Sequence, residues 1–130
     1  MQASQSRRRS PLAASGRGCC DDSVQSRLDD TAAAEAAAML KALADPARLQ
    51  ILDILTQHTG DVCVCDLEGA VGLPDPHTGK RPGQPTVSHH LKVLRQAGLV
   101  GYTKRGLWAY YFVQRERLEE ARRLLSALAG

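Results

Sequence analysis

The stretch Gln84-Pro85-Thr86-Val87-Ser88-His89-His90-Leu91-Lys92-Val93-Leu94-Arg95-Gln96-Ala97-Gly98-Leu99 constrains this chain more than any other. A proline at its start and Gly98 at its end leave room for one short helix. At about 100° per residue, Val87, Leu91 and Leu94 fall on one side, while Ser88, His89, Lys92 and Gln96 spread over the other. One side packs, and the other is free to meet a partner. Charge indicates which partner: no acidic residue occurs between Asp75 and Glu116, yet Lys80, Arg81, Lys92, Arg95, Lys104, Arg105 and Arg115 all lie there. A merely solvated face mixes its signs. A one-sign block holding a short helix is the electrostatic footprint of a surface that neutralises phosphates, so the stretch is read as a DNA recognition helix. Thr86, at its N-terminus, suits a phosphate, and Ser88, His89, Lys92 and Gln96 suit base edges or backbone in the major groove. His90 lies beside the apolar stripe and is read as a partly buried structural histidine.

The flanking segments complete a small, mainly α domain. Residues 1–30, rich in Ser, Arg, Gly and Asp, cannot bury enough surface to order themselves and are expected to form a flexible arm carrying Cys19 and Cys20. Residues 31–130 are the expected domain. Thr31 is a fair N-cap for an alanine-dense helix to Ala44, and Asp45-Pro46 opens the next, with Leu49, Ile51, Leu52, Ile54 and Leu55 as core candidates to Gln57. Residues 63–72 read as a short third helix with Val64, Leu67 and Val71 as its stripe. Leu73 to Gly83 is a cluster of turn formers, long for a helix-turn-helix turn. Residues 100–104 and 107–113 are aromatic and β-branched, and Arg105-Gly106 between them predicts a β-hairpin, a wing. Lys104 and Arg105 at its tip are phosphate or minor-groove candidates, and Trp108, Tyr110 and Phe112 are assigned to the core. Leu118, Ala121, Leu125 and Leu128 form a narrow seam in a last helix, suited to one partner helix. The first and last helices are thus expected to make a dimer interface, which a domain of this size needs for stability.

With 4 cysteines and a net charge of +3, the chain contains no run of eighteen apolar residues, so no membrane span is expected. Arg7-Arg8-Arg9 precedes only a short polar run, and the expected location is the cytoplasm. There, the cysteines are more plausible as ligands or redox thiols than as structural disulfides. Cys65 lies off the apolar stripe, unlike a core thiol. Cys63 falls at an N-cap, with Asp66 three residues on as in a capping box, which places both thiols at the positive end of a helix dipole and favours thiolate. Residues two apart on a regular helix do not face each other. Either Cys63 stays outside the helix, or ligand binding unwinds the first turn. The chain shows neither a nucleophile–base pair and carboxylate dyad nor a Gly-rich phosphate loop, so neither an enzyme nor an organic cofactor is expected. A winged helix used for protein interaction is the alternative of another class, and the basic segment 80–105 argues against it.

Three segments in order, Leu43-Ala44-Asp45-Pro46-Ala47-Arg48-Leu49, Cys63-Val64-Cys65-Asp66-Leu67 and Pro85-Thr86-Val87-Ser88-His89-His90-Leu91, resemble the ArsR/SmtB family of winged-helix metalloregulators over about residues 31–130. The resemblance implies a winged helix-turn-helix homodimer that holds double-stranded operator DNA until a metal or metalloid binds. The Cys-Val-Cys-Asp-Leu segment is similar to the inducer motif of arsenite repressors and of cadmium/lead repressors. That similarity implies Cys63 and Cys65 as ligands, with Cys19 and Cys20 matching the thiolates some members carry in the arm. Arsenite, which takes three soft thiolates, is the favoured inducer; cadmium or lead is the alternative, and a Cys63–Cys65 redox switch a third reading. The chain departs from the family in an insertion around Pro74 to Gly83. It also lacks the Asp and His ligands of zinc sensors in its last helix, so zinc sensing there is not expected.

Overall fold

The computed structural model describes residues 19–130, so residues 1–18 of the expected arm lie outside the described residues. The described residues fall into two compact units, divided between Ala37 and Ala38. In the described part of the first, Cys19 and Cys20 are exposed free thiols. The first helix, α1, spans Asp30–Leu43. Its cap is Asp29 rather than Thr31: the Asp29 carboxylate accepts from the Ala32 N–H at 2.8 Å, and Asp30 adds a second acid to the first turn.

The second unit is built from the end of α1 and seven further elements. These are α2 (Pro46–Thr56), β1 (Val62–Cys63), α3 (Val64–Leu67), α4 (Gln84–Gln96), a hairpin of β2 (Val100–Arg105) and β3 (Trp108–Val113), and α5 (Arg115–Ala129). Asp45 caps α2 as expected, its side chain accepting from the Arg48 N–H at 3.1 Å, with Pro46 in the first turn. Val87, Leu91 and Leu94 of α4 are buried among Ile51, Leu52 and Leu55 of α2, with Leu67, Val71, Leu99 and Val100 around them. The stripe read from the helical period is therefore the centre of the core. Leu49, by contrast, lies on the outer side of α2 and is half-exposed.

Three further expectations are corrected. The third helix is only 4 residues long, because Glu68 turns to extended backbone and Gly69 adopts φ 78°. The wing turn is Gly106-Leu107, with Arg105 paired to Trp108 as the last strand residue. Gly106, at φ 64°, supplies the positive φ that a two-residue hairpin requires. Finally, Trp108, Tyr110 and Phe112 do not face the core. The alternate residues Tyr111 and Val113 pack against it, and Trp108 is exposed. A short strand not anticipated from the sequence joins the hairpin: β1 pairs antiparallel with β3, giving a three-stranded sheet in the order β1-β3-β2. In α5, Ala121 is buried and Leu118 half-buried, whereas Leu125 and Leu128 of the expected seam stand exposed.

Candidate metal centre and nucleic-acid interface

The thiol pair sits where a strand becomes a helix. Cys63 is the last residue of β1 and the N-cap of α3, with extended backbone at φ −96° and ψ 169°. Asp66, three residues on, accepts from the Cys63 N–H at 2.9 Å, the backbone half of a capping box. With Cys63 outside the helix, its side chain is not bound by helical spacing and turns towards that of Cys65. The two sulfurs meet in a disulfide across a Cα separation of 5.4 Å. Cys63 is buried and Cys65 exposed, so the pair is open on one side. The ligand atoms of Cys63, Cys65 and Asp66 all lie within 4.8 Å of one another. Asp66 was read from the sequence only as a cap; the same spacing that caps the helix brings its carboxylate to the sulfurs. A single helical turn is too short for the dipole anticipated there, and Asp66 instead sets a negative charge beside the pair.

The cluster is joined to two other elements. Cys63 pairs with Tyr110 and Val62 with Tyr111, which ties β1 to the wing strand β3. Leu67 of α3 is fully buried in the cluster that holds Val87 and Leu91 of α4. Cys63 is thus joined by strand pairing to the wing, and α3 by core packing to α4.

Thr86, Ser88, His89, Lys92 and Gln96 are all exposed on α4. Ser88, Lys92 and Gln96 follow at four-residue spacing and so share one face, with His89 beside them. Lys104 and Arg105 are exposed near the wing tip. Arg105 is nevertheless held: its guanidinium stacks over the Tyr110 ring at 4.3 Å and donates to the Gly60 carbonyl at 2.7 Å. Arg95, which the sequence placed in the basic block without a role, lies over Tyr102 at 5.1 Å. At the C-terminal end of the helix, the Gly98 and Leu99 N–H groups donate to the Arg95 and Leu94 carbonyls, and Arg117 of α5 donates to the Ala97 carbonyl at 3.1 Å.

His90 belongs to the frame. Arg48 donates to its Nδ1 at 3.2 Å, and Asp45 lies 3.9 Å from the same nitrogen. Burial holds its pKa below the usual histidine value; Asp45 pulls it up, and Arg48 and His89 push it down. A histidine whose folded pKa is depressed charges more readily in the unfolded chain. Stability is therefore expected to be full above about pH 6.5 and to fall as the pH drops from there through the folded pKa. His90→Gln should flatten that slope in urea titrations between about pH 5 and 7, and an unchanged slope would assign it to other groups.

Comparison with known proteins places these features in context. A model described as "Bacterial regulatory protein, arsR family" matches residues 82–102, which hold α4 and the start of β2. An uncharacterized HTH-type transcriptional regulator of Methanocaldococcus jannaschii is 38% identical over 94 residues, covering 72% of this chain and 94% of that protein. The arsenical resistance operon repressor of Staphylococcus xylosus is 38% identical over 85 residues, 65% of this chain and 71% of that protein. A cadmium resistance transcriptional regulatory protein homolog of Staphylococcus aureus is 30% identical over 86 residues, 66% of this chain and 63% of that protein. Among solved structures, the homodimeric winged helix-turn-helix DNA-binding domain of a possible ArsR-family regulator from Mycobacterium bovis superposes with a TM-score of 0.54 at 31% identity. It covers 81% of this chain and 90% of that one.

Proposed function

The chain belongs to the arsR family of bacterial regulatory proteins, and from that premise we propose that it binds operator DNA as a homodimer and leaves it when arsenite is captured by cysteine thiolates. The thiolates are those of Cys63 and Cys65, completed by Cys19 or Cys20 of the arm. The observation that carries the reading is the convergence of the Cys63 and Cys65 sulfurs on the residue that joins the wing strand to α3. In the proposed mechanism, α4 presents Ser88, His89, Lys92 and Gln96 to the major groove and Thr86 to a phosphate, while Lys104 and Arg105 bring the wing to the backbone. With the pair reduced, Cys63 and Cys65 would supply two sulfur donors to arsenite, and Cys19 or Cys20 of the arm would supply the third. Closing that site pulls β1 and α3 together, and the displacement reaches DNA through Tyr110 and α4. A coupling of about 1–3 kcal/mol suffices to release the operator, so the movement required is small. The exposed Leu125 and Leu128 of α5 are the seam for the second protomer. The protein acts in the reducing cytoplasm, where the pair is held as thiols.

Two observations favour second readings. Asp66 beside the sulfurs offers an oxygen donor and a negative charge, which suits cadmium or lead, and the likeness to a cadmium regulator points the same way. The Cys63–Cys65 disulfide is the oxidised form that a thiol redox switch would take. A fluorescence anisotropy experiment separates them, with reduced protein on an operator duplex titrated in parallel with arsenite, cadmium, lead, zinc and the thiol oxidant diamide. Arsenite is expected to release the duplex at the lowest concentration and zinc not at all. Release by diamide alone would make the switch redox, and release by none of them would sink the inducer site.

A further inference from the structure

The segment between α3 and α4 has a structure of its own. Its base is closed by the Gly69 N–H donating to the Pro82 carbonyl at 3.3 Å, the Gly72 N–H to Gln50 Oε1 at 2.7 Å, and Arg81 Nη1 to the Gly72 carbonyl at 2.6 Å. The Pro82 ring packs so tightly on Gly72 that an added Cβ would stand 2.6 Å from its Cγ, at a φ of 87° that itself favours glycine. Beyond the base, the Asp75 N–H donates to the Lys80 carbonyl at 2.7 Å, and the Gly79 N–H to the Asp75 carbonyl at 2.8 Å. The Asp75 carboxylate accepts from the N–H groups of His77 and Thr78 at 2.7 and 3.0 Å, and Thr78 Oγ1 accepts from the Lys80 N–H at 3.2 Å. Residues 75–80 are thus an internally bonded tip rather than a slack linker, and contact through it costs little further ordering.

Charge at this tip is sorted. Its one carboxylate is occupied by backbone amides, and the Arg81 guanidinium is occupied at the base. Lys80 is exposed and forms no ion pair among the described residues, with exposed His77 close by in sequence. The loop runs through Pro82 and Gly83 straight into the first turn of α4. A recognition helix meets the groove with its N-terminal residues, so a loop rooted there stands over the phosphates that flank the groove. The wing leaves from the other end of α4.

We infer that the 73–83 loop is a second DNA-contacting element, which sets Lys80 and His77 on the sugar–phosphate backbone at the end of α4 opposite the wing. This rests on the reading of α4 as the recognition helix. Its consequence is an operator footprint extended by phosphate contacts outside the bases that α4 reads, adding affinity without adding sequence preference.

The test uses the full-length dimer and an inverted-repeat duplex selected from random DNA by the wild-type protein. Two loop variants are compared with wild type, Lys80→Ala and a replacement of residues 75–80 by Gly-Ser. Lys80→Ala should lower affinity about fivefold near physiological salt and reduce the slope of log affinity against log salt by about 1.8, the value of two phosphate contacts, one from each protomer. Hydroxyl-radical protection should shrink at the outer edges of the footprint in both variants, while the ranking of base substitutions in the half-sites stays that of wild type. An unchanged slope and footprint in Lys80→Ala, with His89→Ala/Lys92→Ala still impaired, would overturn the loop's role and leave the recognition helix standing. A wild-type protein that selects no duplex would overturn both. If the loop replacement fails to fold by circular dichroism, the point variant alone decides.

Discussion

Cys63→Ser and Cys65→Ser proteins are expected to bind the operator with near wild-type affinity and to remain bound at arsenite concentrations that strip the wild type from it. The thiols make no contact that the DNA face needs, since Thr86, Ser88, His89, Lys92 and Gln96 project from a different helix. Each thiol is, however, one of the donors held by the element whose movement is transmitted. Removing either should abolish the whole coupling, worth about 5–150-fold in DNA affinity. Cys65 is exposed, so its replacement perturbs little; Cys63 is buried, and a serine there carries a modest folding cost that a melting curve will register. Arm variants should rank below these. Loss of both Cys19 and Cys20 should weaken the response strongly, and loss of one should weaken it least, because adjacent thiols can exchange as the third ligand. Full release from a Cys63→Ser/Cys65→Ser protein would remove the pair from the mechanism.

His89→Ala/Lys92→Ala should lower operator affinity about 30- to 1000-fold, taking the loss at about 2–4 kcal/mol spread over four base or phosphate contacts, two from each protomer. Both side chains are exposed and neither belongs to the core, so the melting temperature should stay within a degree or two of wild type. Wild-type protein should protect two half-sites about 34–36 Å apart, as a two-fold dimer requires. Binding should also weaken steeply with salt. Unchanged affinity in the double variant, or protection of a single half-site, would contradict the assignment of α4.

Helical period carried the reading furthest. Val87, Leu91 and Leu94 were legible because three apolar residues at this spacing between Pro85 and Gly98 have one way to be buried, and they are fully buried. His90 was legible for the same reason, as its position beside the stripe directs it at Arg48 and Asp45. What failed was whatever depended on a partner distant in sequence. Val62-Cys63 is too short to show alternation, so β1 was invisible, and in β3, where both alternate sets are apolar or aromatic, alternation does not say which face the helices cover. Glu68 and Gly69 end α3 early by backbone conformation, which an apolar stripe at Val64, Leu67 and Val71 does not reveal. Arg105 was read as a turn residue at the tip because its stacking on Tyr110 and its bond to Gly60 exist only once the hairpin is folded against the preceding loop. The cysteines were legible by type and spacing. That their sulfurs converge followed from Cys63 staying outside the helix, one of two geometries the spacing left open.

Arsenic X-ray absorption on the reduced full-length protein, loaded with one equivalent of arsenite per protomer, counts the sulfur donors around the arsenic. Three sulfurs are expected in the wild type, with a sulfur lost to oxygen in Cys63→Ser, in Cys65→Ser and in Cys19→Ser/Cys20→Ser. Three sulfurs retained in Cys63→Ser/Cys65→Ser would contradict the proposed ligand set.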